Sequence, residues 1–195
     1  MSMNTAWLFP GQASQKVGMG HDLYQNTELG KSYFDLANSI MGCDIQSIIF
    51  EGPRKTLKQT QYTQPAIYIV SVIIGKLLLK KGLRPVALAG HSLGEYAALV
   101  AAQSLSFSTA VSLVRERGRL MQAAVAETDG AIAAILGLED EQIEAICAKA
   151  SAGQHVSAVN FNAPGDQPPH LGMRGGYAKE RDGWTLVHAI DPGAD

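Results

Sequence analysis

PVALAGHSLG, residues 85–94, is the stretch that decides the fold of this chain. Residues 85–90 form an apolar run without polar alternation, which is typical of a strand buried on both faces of a parallel sheet. The alanine-rich segment from Leu93 to Gln103 that follows predicts a helix. The stretch therefore predicts a strand, a sharp turn and a helix, with Ser92 in the turn.

Ser92 lies within Gly90-His91-Ser92-Leu93-Gly94, a G-x-S-x-G sequence. Between a buried strand and a helix, this sequence is typical of a nucleophile elbow. The glycines permit a turn that pushes the serine hydroxyl out of the backbone, and the helix N-terminus supplies N–H groups for an oxyanion. We interpret Ser92 as a nucleophile. The alternative is a glycine-rich turn that only packs a helix on a sheet.

Strands and helices alternate along the rest of the chain, which predicts an α/β fold with a parallel sheet. The predicted strands are Ala6–Phe9, Pro85–Gly90, Ala131–Leu136 and Val156–Phe161. The predicted helices run from Asn26 to Met41, from Thr63-Gln64-Pro65 to Leu79, from Leu93 to Gln103, from Ser106 to about Val125, and from Glu139 to Ser151 with Ile143, Ile146 and Cys147 inward.

The chain divides by composition into three parts. Residues 1–127 form the larger domain, and a break at Glu127-Thr128-Asp129-Gly130 begins a smaller one at residues 128–167. Residues 168–195 are rich in glycine and proline and carry no sustained apolar period, so we expect a disordered tail there.

Composition excludes several classes of protein. Of 195 residues, 46% are apolar and 17% are charged, which argues against disorder as the default state. A net charge of −2 argues against a nucleic-acid partner. The longest apolar stretch, Ala66 to Gly75, falls short of the roughly 20 residues that a membrane span needs, and no targeting segment is visible. We therefore expect a cytoplasmic protein without a membrane partner, in which Cys43 and Cys147 are buried free thiols that bind no metal.

Arg117 and Gln12 are further candidates for a site around Ser92. Arg117 lies four residues from both Leu113 and Met121, so it should project from the apolar side of its helix and either pair there or bind an anionic ligand. The alternative is a solvated charged face. Gln12 follows the first predicted strand, and parallel sheets gather their sites at the carboxyl ends of strands, although a solvated loop residue would look the same.

Several motifs together resemble one family, the malonyl-CoA:acyl carrier protein transacylases. The resemblance runs from residue 5 to about 167, and the motifs come in the order and spacing of that family. The motifs are Phe9-Pro10-Gly11-Gln12, Thr60 to Ile67, Gly90 to Tyr96, Arg117-Gly118 and Val159 to Gly165.

The resemblance implies a hydrolase-like large subdomain with an inserted ferredoxin-like small one, both incomplete in this chain. It implies that Ser92 takes malonyl from coenzyme A as an ester and that Arg117 holds the free malonyl carboxylate. The backbone N–H groups of Gln12 and Leu93 would form the oxyanion hole, with His91 beside the site. The ester would pass to the phosphopantetheine thiol of acyl carrier protein, without metal or cofactor, in fatty acid or polyketide biosynthesis. We further expect a monomer.

The resemblance stops before the histidine that serves as general base in the family. His155, His170 and His188 are the later histidines of this chain, and none lies in the family's histidine context. Synonymous codon choices from His170 onward permit the family's own continuation in another reading frame, so we hypothesise a frameshift near Gln167 and a truncated copy with little or no turnover. A catalytically dead fragment, or a serine hydrolase or thioesterase with the same elbow, remain alternative interpretations.

Overall fold

The computed structural model describes residues 5–127, 135, 138–151 and 156–158 of the chain. The chain divides into two units, Met1–Gly130 and Ala131–Asp195. The first unit contains β1 (Ala6–Phe9), α1 (His21–Asn26), α2 (Glu28–Met41), α3 (Ile45–Phe50), α4 (Arg54–Leu57), α5 (Thr60–Lys80), β2 (Ala87–Gly90), α6 (Gly94–Ala101) and α7 (Phe107–Glu127), and the second contains α8 (Asp140–Ala150).

The two strands of the first unit form a parallel pair. Ala6 lies opposite Ala87, and the register continues to Phe9 opposite Gly90. Both strands were predicted, although β2 begins at Ala87 and not at Pro85. Because the strands are parallel and in register, their carboxyl ends lie side by side, and the loops that follow them leave the sheet at the same edge. The described part of the chain is thus α/β, mostly helical with a small parallel sheet.

Helix α5 is the centre of the first unit. It packs against α7, α6 and α2, and its residues Tyr68, Ile69 and Ile73 are fully buried. The Tyr68 ring stacks on Phe107 at 5.6 Å between centroids, and its hydroxyl donates a hydrogen bond of 3.0 Å to the Phe107 carbonyl. Burial raises the pKa of Tyr68, so this hydroxyl keeps its proton. The interface of α5 and α7 is therefore a well-packed core with its polar group satisfied.

The start of α5 differs from the prediction. The helix begins at Thr60, a turn before the predicted Thr63-Gln64-Pro65 start, so Pro65 lies inside it. The Thr60 N–H donates 2.9 Å to Oε1 of Gln122, a residue of α7. An amide that would otherwise lack a partner at the helix start is thus satisfied from a distant segment, which local sequence cannot reveal. Sequence analysis also missed the short helices α1, α3 and α4.

Helix α5 is long and apolar enough to cross a membrane by length and composition alone, unlike the shorter stretch recognised in the sequence. However, 61% of its most hydrophobic window is buried within the fold. Helix α5 is therefore best described as a core helix, and nothing in the described residues gives the chain a clear membrane character.

The second unit is described mainly through α8. This helix was predicted, and it starts with a capping box in which Glu139 and Gln142 satisfy each other's backbone N–H groups. Ile146 was expected to face inward, but 53% of it is exposed, so that expectation is wrong. Of the two strands predicted here, Ile135 and residues 156–158 are described, and none of them is in a strand. The motif Val159 to Gly165, and the tail at 168–195 with its frameshift hypothesis, lie outside the described residues.

The cysteines are free, but they are not buried as predicted. Cys43 and Cys147 are both half-buried. Partial burial still raises the pKa of the Cys43 thiol, with the nearby charge of Arg115 acting in the opposite direction.

Candidate active site

Ser92 occupies a strained turn between β2 and α6. Its φ angle is +53°, a left-handed conformation that non-glycine residues rarely adopt. A side chain at Gly90 would overlap the backbone of Gly94 and Glu95, and a side chain at Gly94 would overlap the carbonyl of Phe9. Both glycines of the motif are therefore needed for the close approach of strand, helix and loop. The strand–turn–helix placement predicted from the sequence is confirmed, and it leaves Ser92 exposed.

The loop after β1 passes directly beside this turn. The His91 N–H donates 3.0 Å to the Phe9 carbonyl, and Gly11 lies so close to His91 that a side chain there would overlap the imidazole. The same loop carries Gln12 to the start of α5, where Gln12 Nε2 donates a hydrogen bond of 3.2 Å to Oγ1 of Thr60. The two loops converge at the carboxyl edge of the sheet, one of the two alternatives that the sequence left open for Gln12.

Arg117 reaches this edge from α7. Its Nη2 donates 2.9 Å to Oγ of Ser92, and its Nη1 donates 2.6 Å to Oε1 of Gln64. Helix α7 can approach the start of α5 because it carries Gly118 there, where a Cβ would lie 3.0 Å from the Thr60 carbonyl. The structure thus holds a permanent cation against the hydroxyl of the candidate nucleophile.

The sequence argument that placed Arg117 on the apolar side of α7 was wrong about which residues form that side. Leu113 and Met121 do not mark the buried side of α7, since they are 47% and 38% exposed. The buried face is formed by Ala110, Val111, Val114 and Gly118. Arg117 is half-buried at its border, because its partners Gln64 and Ser92 come from other elements and cannot be recognised from the periodicity of α7.

The charged neighbours of Arg117 on α7, in contrast, do belong to a solvated charged face, as the alternative interpretation expected. Arg119 forms a bidentate ion pair with Glu116 of the same helix, with N···O distances of 2.6 and 2.9 Å. The hydrogen bond from Arg119 lowers the pKa of Glu116. Arg115 donates to the carbonyl of Ile40. Arg117 therefore differs from both flanking arginines in pointing at other side chains of the candidate site.

Gln64 belongs to the same cluster and was missed as a site residue. It is 1% exposed, and its Nε2 donates 3.2 Å to Oε1 of Gln12. The available signal was a long amide side chain in an apolar helix, because a buried amide needs partners. Without knowing that α7 crosses at Gly118, the sequence could not tell which groups those partners were.

The oxyanion hole expected at the N–H groups of Leu93 and Gln12 stays a prediction. Leu93 is the N-cap residue of α6, so its N–H belongs to the helix end where amides have no intrahelical partner. The positive end of the helix dipole adds to this potential. Gln12 is exposed in the loop that follows β1.

Two further expectations concern other groups. The later histidines His155, His170 and His188 lie outside the described residues, so the missing general base stays a prediction. Within residues 5–127 and the described parts of the second unit, no three His, Cys, Asp or Glu residues cluster in a way that could hold a metal ion.

Comparisons with known proteins agree on one family. A family model for the acyl transferase domain matches residues 6–162. Malonyl CoA-acyl carrier protein transacylase of Escherichia coli (strain K12) is 45% identical over 161 residues, which cover 82% of this chain and 52% of that protein. The protein of the same name from Haemophilus influenzae is 46% identical over 162 residues, with the same coverage. The chain thus spans about half the length of the curated relatives it matches.

Solved structures extend the similarity to three dimensions. The crystal structure of MCAT from Streptococcus pneumoniae matches with a TM-score of 0.74 and 44% identity, over 83% of this chain and 52% of that one. A type II PKS acyl-carrier protein in complex with its malonyl-transacylase matches with a TM-score of 0.72 and 39% identity, over 84% of this chain and 53% of that one.

Proposed function

This chain belongs to the acyl transferase family, and from that premise we propose that it carries the acyl-holding part of a malonyl-CoA:acyl carrier protein transacylase. The observation that carries this proposal is the 2.9 Å hydrogen bond from Arg117 to Ser92 Oγ. It joins a nucleophile in a strained elbow to a cation that can select the acyl group. The relatives that match at about 45% identity bear the name of this activity.

In the first half-reaction, Ser92 Oγ attacks the thioester carbon of malonyl-CoA. The Oγ–C bond forms, the C–S bond breaks, and the serine proton ends on the departing coenzyme A thiol. The N–H groups of Leu93 and Gln12 stabilise the oxyanion of the tetrahedral intermediate. A base outside the described residues, or one supplied by a longer protein, must relay the proton, since a serine hydroxyl is a weak nucleophile without one.

In the second half-reaction, the phosphopantetheine thiol of acyl carrier protein attacks the ester carbon. The S–C bond forms, the Oγ–C bond breaks, and the thiol proton returns to Ser92. Arg117 would hold the free malonyl carboxylate in between, because that carboxylate is only a few bonds from the ester oxygen and a guanidinium binds carboxylates in a bidentate manner. Acetyl lacks the carboxylate, which makes Arg117 the selecting residue.

The finer architecture and setting belong to the same proposal. Residues 1–127 would form the hydrolase-like subdomain and residues 128–167 part of an inserted ferredoxin-like one, followed by a separate tail at 168–195. The division of the chain near Gly130 supports this boundary. We propose a cytoplasmic monomer that takes malonyl-CoA and acyl carrier protein as partners and uses no metal, cofactor or nucleic acid.

Intact mass spectrometry tests the proposal. Incubation with malonyl-CoA should add one malonyl group, which is absent in Ser92→Ala and passes to added pantetheine thiol instead of water. Arg117→Ala should lower malonyl loading by about ten- to a hundredfold while acetyl loading changes far less, since a charge-assisted hydrogen bond is lost for malonyl alone.

Three outcomes would contradict it in different ways. An adduct that persists in Ser92→Ala would exclude Ser92 as nucleophile. Release to water in preference to thiol would favour a hydrolase or thioesterase. Loading by a frame-restored, longer chain together with no loading by this one would mean that this chain is a dead fragment of the same enzyme.

A further inference from the structure

Gln64 lies at the centre of a hydrogen-bonded chain of side chains that ends at the nucleophile. The chain runs from Thr60 through Gln12, Gln64 and Arg117 to Ser92, with donor–acceptor distances of 3.2, 3.2, 2.6 and 2.9 Å. Through the buried amide of Gln64, it links two groups that the proposed function needs, the Gln12 loop and the guanidinium of Arg117.

The direction of every bond in this chain follows from Arg117. A guanidinium has donors and no acceptor, so the amide of Gln64 must turn its Oε1 toward Arg117. Its Nε2 must then face Gln12, which has to present its own Oε1, and the Nε2 of Gln12 is left for Thr60. The orientation of Gln12 is thus determined by a cation on another helix.

The charge of the partner matters as much as its position. An amide satisfies Nη1 of Arg117 without neutralising the guanidinium, whereas a carboxylate at the same place would compensate the charge. Within the described residues Arg117 forms no salt bridge, whereas Lys31 pairs with Glu28 and Arg119 pairs with Glu116. The positive charge therefore stays available to an anionic ligand beside Ser92.

We propose that Gln64 is a positioning residue that holds Arg117 beside Ser92 and keeps its charge free for the acyl carboxylate, while it fixes the Gln12 loop. This inference rests on the proposed function for the identity of the ligand. The position itself rests on geometry, since Gln64 is 1% exposed and has partners at both ends of its amide.

The experiment uses the full chain with two variants of Gln64, one control variant and two readouts. Phenylglyoxal labelling, mapped by peptide mass spectrometry, reports how firmly each arginine is held, with Arg119 in its ion pair as the internal reference. Gln64→Met has similar size but offers Arg117 only a weak thioether acceptor, so Arg117 should label about fivefold faster relative to Arg119. Ser71→Ala removes another buried polar side chain of α5 outside the cluster and should leave the labelling unchanged.

Gln64→Glu separates position from charge. It keeps an acceptor for Arg117, so slow labelling should return, but it neutralises the guanidinium. The malonyl-to-acetyl loading ratio at Ser92 should therefore fall by about tenfold in both Gln64→Met and Gln64→Glu. A merely structural role would lower loading of both acyl groups together and leave their ratio unchanged.

Failure of this inference is distinguishable from failure of the proposed function. Equal labelling of Arg117 in wild type and Gln64→Met overturns the positioning role, whether or not the chain loads malonyl. An unchanged loading ratio in chains that do load overturns the role in selectivity. If wild type forms no adduct, the proposed function fails for this chain, and the labelling of Arg117 in the two variants alone decides the role of Gln64.

Discussion

Helix α5 has two sides that differ in how they are covered. Toward α7 it buries Tyr68 and Gln64 completely, and each of their polar groups has a partner. Toward β1 it lines a cavity of about 500 Å³ together with Trp7 and Leu8, and Ile74 on this side is 44% exposed. The lining of the cavity is mainly apolar, and it includes neither Ser92 nor Arg117.

The difference shows what positions the candidate site. On the α7 side, directional hydrogen bonds and a close helix crossing at Gly118 leave few alternative arrangements. On the β1 side, contacts are apolar and non-directional, so they contribute to stability without specifying an orientation. The candidate site residues Arg117 and Gln64 lie on the side with the polar contacts. The largest effects of substitution should be found there too.

Tyr68→Ala should produce the largest loss of stability. It leaves a cavity in the α5–α7 core, and such truncations of buried aromatic residues cost about 3–5 kcal/mol. Tyr68→Phe retains the ring and loses only the hydrogen bond to Phe107, so it should cost about 1 kcal/mol. Ile74→Ala on the open side should cost about 1 kcal/mol or less. Urea denaturation midpoints would measure all three, and equal losses for Tyr68→Ala and Ile74→Ala would remove the contrast between the two sides.

The elbow and the two strands were predictable because their signals are local. The apolar run ending at Gly90 and the glycines around Ser92 lie within a few residues of the geometry they produce. The resemblance to a family added expected roles for Arg117 and Gln12, which periodicity alone had left open.

The rest of the cluster depends on contacts far apart in the sequence. Arg117 and Gln64 are 53 residues apart, and Thr60 and Gln122 are 62 apart. Neither pairing leaves a trace in the local pattern, because each residue alone looks like an ordinary polar helix residue. The same reason explains why α5 starts a turn earlier than predicted and why Leu113 was misplaced on the buried face.

Gln122→Ala should have a smaller effect on the closed side. It removes the acceptor of the Thr60 N–H at the start of α5, and loss of a helix cap costs about 0.5–2 kcal/mol. Gln122→Glu keeps an acceptor oxygen and places negative charge at the positive end of the helix, so it should be at least as stable as wild type. Denaturation midpoints of the two variants decide the point. A loss of the same size in Gln122→Glu would mean that the hydrogen bond does not stabilise the start of α5.

Leu8→Lys should have the smallest effect on stability and a clear effect on the open side. Leu8 is 59% exposed on β1, so the substitution should cost about 1 kcal/mol or less, the span of strand propensities. It also places a charge at the edge of the apolar cavity, which should weaken binding of a hydrophobic dye such as anilinonaphthalene sulfonate. Leu113→Lys, at a 47% exposed apolar position on α7, is the control and should leave dye binding near the wild-type level. A loss of several kcal/mol in Leu8→Lys would show that β1 is covered in solution, and the open side of α5 would then be as closed as the side that holds Arg117.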